Sequence, residues 1–154
     1  MDARPICMRE EPPVKITEVR IKLVNNPNDK LRAFCSLTFD QEFVIRDLKL
    51  IEGTQGLFVA MPSRKLCDRC TRCGGKNHLR ARHCNDCGQK LASDRAPRDE
   101  RGRDRLHADI AHPIHAQARE KIHHHILQAY EQEVEKSKLE GYKPPRFDDM
   151  DYDV

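Results

Sequence analysis

The sequence predicts an α+β fold: an antiparallel β-sheet followed by one C-terminal helix, with a small cysteine-bearing module set into a loop. Three observations predict it. Residues 16–61 alternate apolar and polar in four short runs separated by turn residues. Residues 122–134 repeat apolar side chains at steps of three and four. Between the two lies a block of Cys, Gly, Arg and His with no apolar periodicity.

In the first run Val19, Ile21 and Leu23 alternate with Glu18, Arg20 and Lys22, the period of a half-buried strand. Asn25 to Asp29 make a turn. A second strand places Ala33, Cys35, Leu37 and Phe39 on one face, and Asp40-Gln41 is a tight connection. A third strand runs from Phe43 to about Ile51, Glu52-Gly53 turns it, and a short apolar strand covers Leu57 to Met61. Four strands with short turns read as an antiparallel meander. The helix carries its stripe on Ile122, Ile126, Ala129, Tyr130 and Val134, and Gly141, Pro144 and Pro145 stop it.

Of the 154 residues, 38% are hydrophobic and 34% charged, and there is no Trp. The core must therefore be small and mostly aliphatic, and a metal or self-association would add what it lacks. Net charge is only +3, but the stretch from Arg64 to Arg105 is basic, while Asp148, Asp149, Asp151 and Asp153 make the end acidic. A basic middle points to an anionic partner; an ordinary solvated surface is the alternative. No run approaches the roughly 20 apolar residues of a membrane span. The first residues, with Pro5, Pro12 and Pro13, read unlike a secretory signal. Seven cysteines in such a chain favour metal ligation and free thiols over disulfides, and hence a cytoplasmic location.

Cys70-x-x-Cys73-Gly and Cys84-x-x-Cys87-Gly are matched knuckles. Each C-x-x-C places two thiolates on one side of an ion, and the following glycine can take a positive φ that turns amide N–H groups toward sulfur. Four soft ligands in a tetrahedron are what Zn²⁺ requires, and with all four supplied by protein the role is structural, one ion per chain. A redox dithiol or an iron–sulfur site is the alternative. Residues 67–91 resemble a rubredoxin-like zinc ribbon, with Leu91 the nearest match to its trailing apolar position. Cys67 offers a further C-x-x-C with Cys70 and reads as a spare thiol, while His78 and His83 are substitute ligands. Cys7 and Cys35 read as plain thiols. His123, His124 and His125 point about 100° apart on a helix and cannot converge on one ion.

The flanking sequence resembles the SpoVG family of septation and sporulation regulators. The resemblance rests on Ile16-Thr17-Glu18-Val19-Arg20-Ile21, Lys30-Leu31-Arg32-Ala33-Phe34, Phe43-Val44-Ile45-Arg46-Asp47-Leu48-Lys49, Gly56 to Lys65, Asp109 to Ile114, and Arg119-Glu120-Lys121-Ile122. It implies a sheet-and-helix homodimer that binds DNA or RNA and is not an enzyme. The sequence departs from the family in the cysteine module after Arg64-Lys65, and in a helix start, His115-Ala116-Gln117-Ala118, without the usual cap residue.

The expected organisation is a disordered arm at 1–13, a discontinuous SpoVG-like domain at 14–65 and 105–140, a zinc ribbon at 66–91, a linker at 92–104 and a disordered acidic tail at 141–154. Candidate nucleic-acid contacts are Arg64, Lys65, Arg69, Arg72, Lys76, Arg80, Arg82, Arg119 and Lys121. The resemblance supplies Arg64, Lys65, Arg119 and Lys121; charge supplies the rest. A ribbon that instead docks a protein partner is the rival reading. No nucleophile–base pair or phosphate-cradling loop is visible, and Asp47 and Glu52 read as strand-end charges.

Overall fold

The structure, a computed structural model, describes residues 13–145; the expected arm and most of the acidic tail lie outside them. The chain divides into two compact units, one from residues up to Ala60 and from Pro113 on, the other Met61–His112.

The first unit holds a four-stranded antiparallel sheet, β1 (Ile16–Leu23), β2 (Leu31–Phe39), β3 (Phe43–Gly53) and β4 (Gly56–Ala60), in sequential order, and the helix α1 (Ala116–Ser137). The alternation sets which face is buried. Ile21 lies opposite Cys35, which lies opposite Leu48; the next row is Leu23, Ala33, Leu50 and Val59. Leu37, Leu50 and Ile126 are 0% exposed, so the helix stripe closes on this face. The β2–β3 hairpin turns on Asp40 and Gln41, both at left-handed φ (51° and 58°), with Glu42 N–H donating to the Phe39 carbonyl at 3.0 Å. A bulge sets Arg46 and Asp47 against the single residue Ser36, and Asp47 takes φ 65°.

The helix start is better made than the sequence suggests. His115 is extended, and its Nδ1 accepts the Ala118 N–H at 3.0 Å, so an imidazole does the work expected of Asn or Ser. At the other end Gly141 takes φ 77°, and Tyr142 Oη donates to Glu133 Oε1 at 2.6 Å.

The second unit is built from two ribbons. β5 (Ser63–Lys65) pairs antiparallel with β8 (His107–Asp109), Arg64 opposite Ala108, so the two ends of the intervening segment lie side by side. β6 (Cys67–Arg69) pairs with β7 (Lys76–His78). Residues 92–104, expected from composition to be a linker, are folded. Arg95 donates to Asp68 Oδ2 at 2.7 Å and to the carbonyls of His78, Ala81 and Ala92. The backbones of Arg98 and Asp104 form an isolated antiparallel β-bridge, and the Asp99 carboxylate accepts the N–H groups of Arg101 and Arg103, the latter foremost in holding its carboxyl below the usual range. Hydrogen bonding orders a stretch that has no apolar pattern to read.

Candidate metal centre and basic surface

The two knuckles have the same backbone. Cys70 N–H donates to the Gly75 carbonyl at 2.8 Å, and Gly74, at φ 75°, donates back to the Cys70 carbonyl at 2.9 Å. Cys84 N–H donates to the Gln89 carbonyl at 2.8 Å, and Gly88, at φ 77°, donates to the Cys84 carbonyl at 3.0 Å. Both positive φ values fall on the glycine after the second cysteine, where the spacing predicts them. Gly75 makes room for a different reason: a Cβ there would overlap the Asp86 side chain, which would have to move.

The Sγ atoms of Cys70, Cys73, Cys84 and Cys87 all lie within 4.8 Å of one another. Cys73 and Cys84 are 3.5 Å apart and Cys70 and Cys87 3.8 Å. A tetrahedron with Zn–S of about 2.3 Å has edges of about 3.8 Å, so the sulfurs fit Zn²⁺. Amide groups turn onto the sulfurs as well: Arg72 N–H reaches Cys70 Sγ and Gly75 N–H reaches Cys73 Sγ, each at 3.4 Å. The backbone of Cys87 and the side chain of Asn77 pull the Cys84 thiol down to about 6, and the Cys73 and Arg72 N–H groups lower Cys70. Gly75 N–H also favours the Cys73 thiolate, but the neighbouring Cys84 and Cys87 sulfurs outweigh it and push that thiol up to about 12. Four thiols crowded this closely lose their protons together only when a cation takes their place.

Two residues essential to this arrangement went unread in the sequence. Asn77 is 4% exposed; its Oδ1 accepts the Asn85 N–H at 2.8 Å and its Nδ2 donates to the Gly75 carbonyl, tying one knuckle to the other. Arg95 is the second. Neither stands in a pattern that marks it, since each acts through contacts distant in sequence. Cys67, His78 and His83 lie outside the sulfur cluster: Cys67 is exposed, and His78 Nδ1 accepts the Arg80 N–H at 3.2 Å. Cys35 is buried in the sheet, and desolvation pushes its thiol up to about 12. His125 Nδ1 bonds the Lys121 carbonyl at 2.7 Å, and the His124 ring lies edge-on to it.

The basic candidates divide between the units. Arg64, Lys65, Arg69, Arg72, Lys76, Arg80 and Arg82 are all exposed on the cysteine-bearing unit. Arg69 donates to the Gly74 carbonyl and Arg72 to Gln89 Oε1, and among the described residues none of the seven is ion-paired. Arg119 and Lys121 belong to the helix of the other unit. Lys121 is half-buried, its Nζ donating to the Val14 carbonyl at 2.6 Å, so it also anchors the chain before β1.

The architecture and its matching sequence have known counterparts. The family model of SpoVG matches residues 14–132. The chain belongs to the SpoVG family. SpoVG of Finegoldia magna, named for septation, is 38% identical over 138 residues, covering 90% of this chain and 94% of the relative. Those of Clostridium beijerinckii (38% identical; 83% of this chain, 100% of the relative) and Agathobacter rectalis (34%; 79% and 98%) carry the same name. No described helix of this SpoVG-family chain is long and apolar enough to cross a membrane.

Proposed function

We propose that the protein is a nucleic-acid-binding regulator of the SpoVG type, a homodimer whose basic residues contact phosphate and whose inserted ribbon is folded around one structural Zn²⁺. The distribution of charge carries the reading. The Met61–His112 unit has thirteen Lys and Arg against seven Asp and Glu, a surplus of six, in a chain whose net charge is +3. A tetrathiolate Zn²⁺ site contributes −2, which leaves the unit positive. Exposed cations not engaged with carboxylates keep their full attraction for phosphate, and their binding releases counterions. The zinc is held by Cys70, Cys73, Cys84 and Cys87 and supplies folding energy rather than chemistry, and no residue is proposed as catalytic. The reading places the protein in the cytoplasm, where thiols stay reduced.

The test is a retardation assay of the purified protein on DNA and RNA across a salt series, with and without chelator, alongside metal analysis. Expected are about one zinc per chain and an affinity that falls steeply with salt; a salt-insensitive complex, or none, refutes the nucleic-acid part. The rival reading, an adaptor, is favoured by a groove of about 1040 Å³ in the same unit with Leu79 and Leu91 in its wall. Deleting residues 66–104 separates the two: nucleic-acid binding that survives intact assigns the ribbon to a protein partner.

A further inference from the structure

The sheet has a second face. Its buried face carries Ile21, Cys35, Leu48 and Leu50 under the helix, and no described element of the same unit packs on the other. Across that open face the register aligns Lys22, Phe34, Lys49 and Ala60, one from each strand. In the adjacent row Phe58 stands opposite Ile51. Phe34 is half-buried, Lys49 is exposed, and Phe58 is 46% exposed, an unusual outlay of ring surface in a chain with only five Phe and no Trp.

Strands lie about 4.8 Å apart and residues rise about 3.4 Å each, so the Phe34 and Phe58 positions, two strands and one row from each other, stand roughly 12 Å apart with Lys49 on the strand between them. The aligned row carries two lysines and no carboxylate; of the acids nearby, Glu18 and Glu52 are bonded to Arg20 and Arg32, and Asp47 stands exposed in the β3 bulge two residues from Lys49. Aromatic rings spaced along a positively charged sheet accept bases on the rings and phosphate between them. Only unpaired bases offer both faces for stacking, so the arrangement selects single strands over duplex.

We infer that this open face is a stacking platform for single-stranded nucleic acid, with Phe58 and Phe34 receiving bases and Lys49 the intervening phosphate. It rests on the nucleic-acid reading above and assigns that reading a second surface, separate from the ribbon. The notable scarcity of aromatics in the sequence is no objection, because two rings suffice when the register sets them on one face.

The chain's lack of Trp supplies the probe. In the full-length zinc-loaded protein, Phe58→Trp keeps a ring and introduces the chain's one indole, which is excited selectively at wavelengths longer than the three Tyr absorb. A 20-nucleotide uridine RNA is expected to quench it saturably, and a duplex of equal length is not. Phe58→Ala is expected to weaken single-strand affinity about tenfold or more, with Phe58→Trp restoring it, and Lys49→Ala to lower the salt slope by about 0.7. Unchanged single-strand affinity in Phe58→Ala, or no quenching of the Trp, overturns the inference while leaving ribbon-mediated binding intact. A parent protein that binds no nucleic acid overturns both. Phe58→Ala that changes the sedimenting mass but not the affinity shows a second copy on this face, and also overturns it.

Discussion

Arg95 braces the cysteine-bearing unit, and its removal has a calculable effect. Its side chain is 14% exposed and its guanidinium donates to four acceptors: Asp68 Oδ2 at 2.7 Å and the carbonyls of His78, Ala81 and Ala92 at 3.0, 3.0 and 2.6 Å. Those acceptors come from β6, from the end of β7, from the turn after it and from the segment after the second knuckle, so one planar group fixes four pieces of chain. Arg95→Ala strands the Asp68 carboxylate, which is 33% exposed, along with three carbonyls. Breaking a fully buried pair costs about 3–5 kcal/mol. Water reaching Asp68 screens part of that, which leaves about 3 kcal/mol.

That cost falls on a unit with little else to hold it. Its buried residues include Cys70, Cys84, Leu79 and Asn77, and two of these four belong to the four-cysteine cluster that could hold a metal. On the proposed zinc site, the ion binds the folded ribbon and not the open chain, so the loss is expected in full as weaker apparent zinc affinity, roughly 150-fold for 3 kcal/mol. Competition against a chromophoric chelator measures it directly. Arg95→Lys, which keeps the charge but cannot reach four acceptors, is expected to fall between the parent and the alanine variant. Zinc affinity within threefold of the parent in Arg95→Ala refutes the bracing argument.

Cys84→Ser removes one buried ligand and is expected to lose stoichiometric zinc at micromolar protein, which metal analysis after gel filtration reports. His115→Ala removes the helix cap and is expected to cost about 1 kcal/mol, read from urea midpoints, with His115→Ser recovering most of it. Cys35, pushed up to about 12 by burial, keeps its proton in the folded state while the unfolded thiol loses its own above about 9. Its contribution is therefore complete below about pH 9 and is lost as pH rises toward 12. At about pH 10.5 the parent should have lost about 2 kcal/mol relative to Cys35→Ala, after referring both to pH 8; parallel pH profiles for the two proteins contradict this.

The fold was legible wherever one residue's neighbours in sequence are also its neighbours in space. Alternation in 16–61 marks strands because side chains on a pleated sheet alternate by twos, and the stripe from Ile122 to Val134 marks a helix for the same local reason. The knuckles were legible because C-x-x-C-Gly is a complete local device. Asn77, Arg95 and the His115 cap were not. Asn77 acts across the gap to Asn85, and Arg95 reaches back to Asp68, 27 positions earlier. A polar residue whose partners come from tertiary structure has no period, so 92–104 read as a linker. The open sheet face was hidden differently: alternation sets Phe34 on the other face from Ala33 and Cys35 but says nothing of its cross-strand neighbours, and Phe58 lies in an unbroken apolar run with no alternation to read, so only the register sets them beside lysines.

The placement of charge bears on what the proposed metal would do for such a module. A unit with thirteen cations and seven acids repels itself, and its short apolar inventory is too small to overcome that repulsion together with the entropy of ordering its loops. Four thiolates closing on the proposed Zn²⁺ would answer both demands: the bonds would draw two knuckles together, and the centre's −2 would lie among the arginines. Hydrophobic burial of equal strength would require exchanging exposed Arg and Lys for Leu and Val and would erase the surface. A ribbon folded on such an ion would leave Arg64, Lys65, Arg69, Arg72, Lys76, Arg80 and Arg82 exposed, which is the arrangement a phosphate-binding surface on a lean scaffold requires.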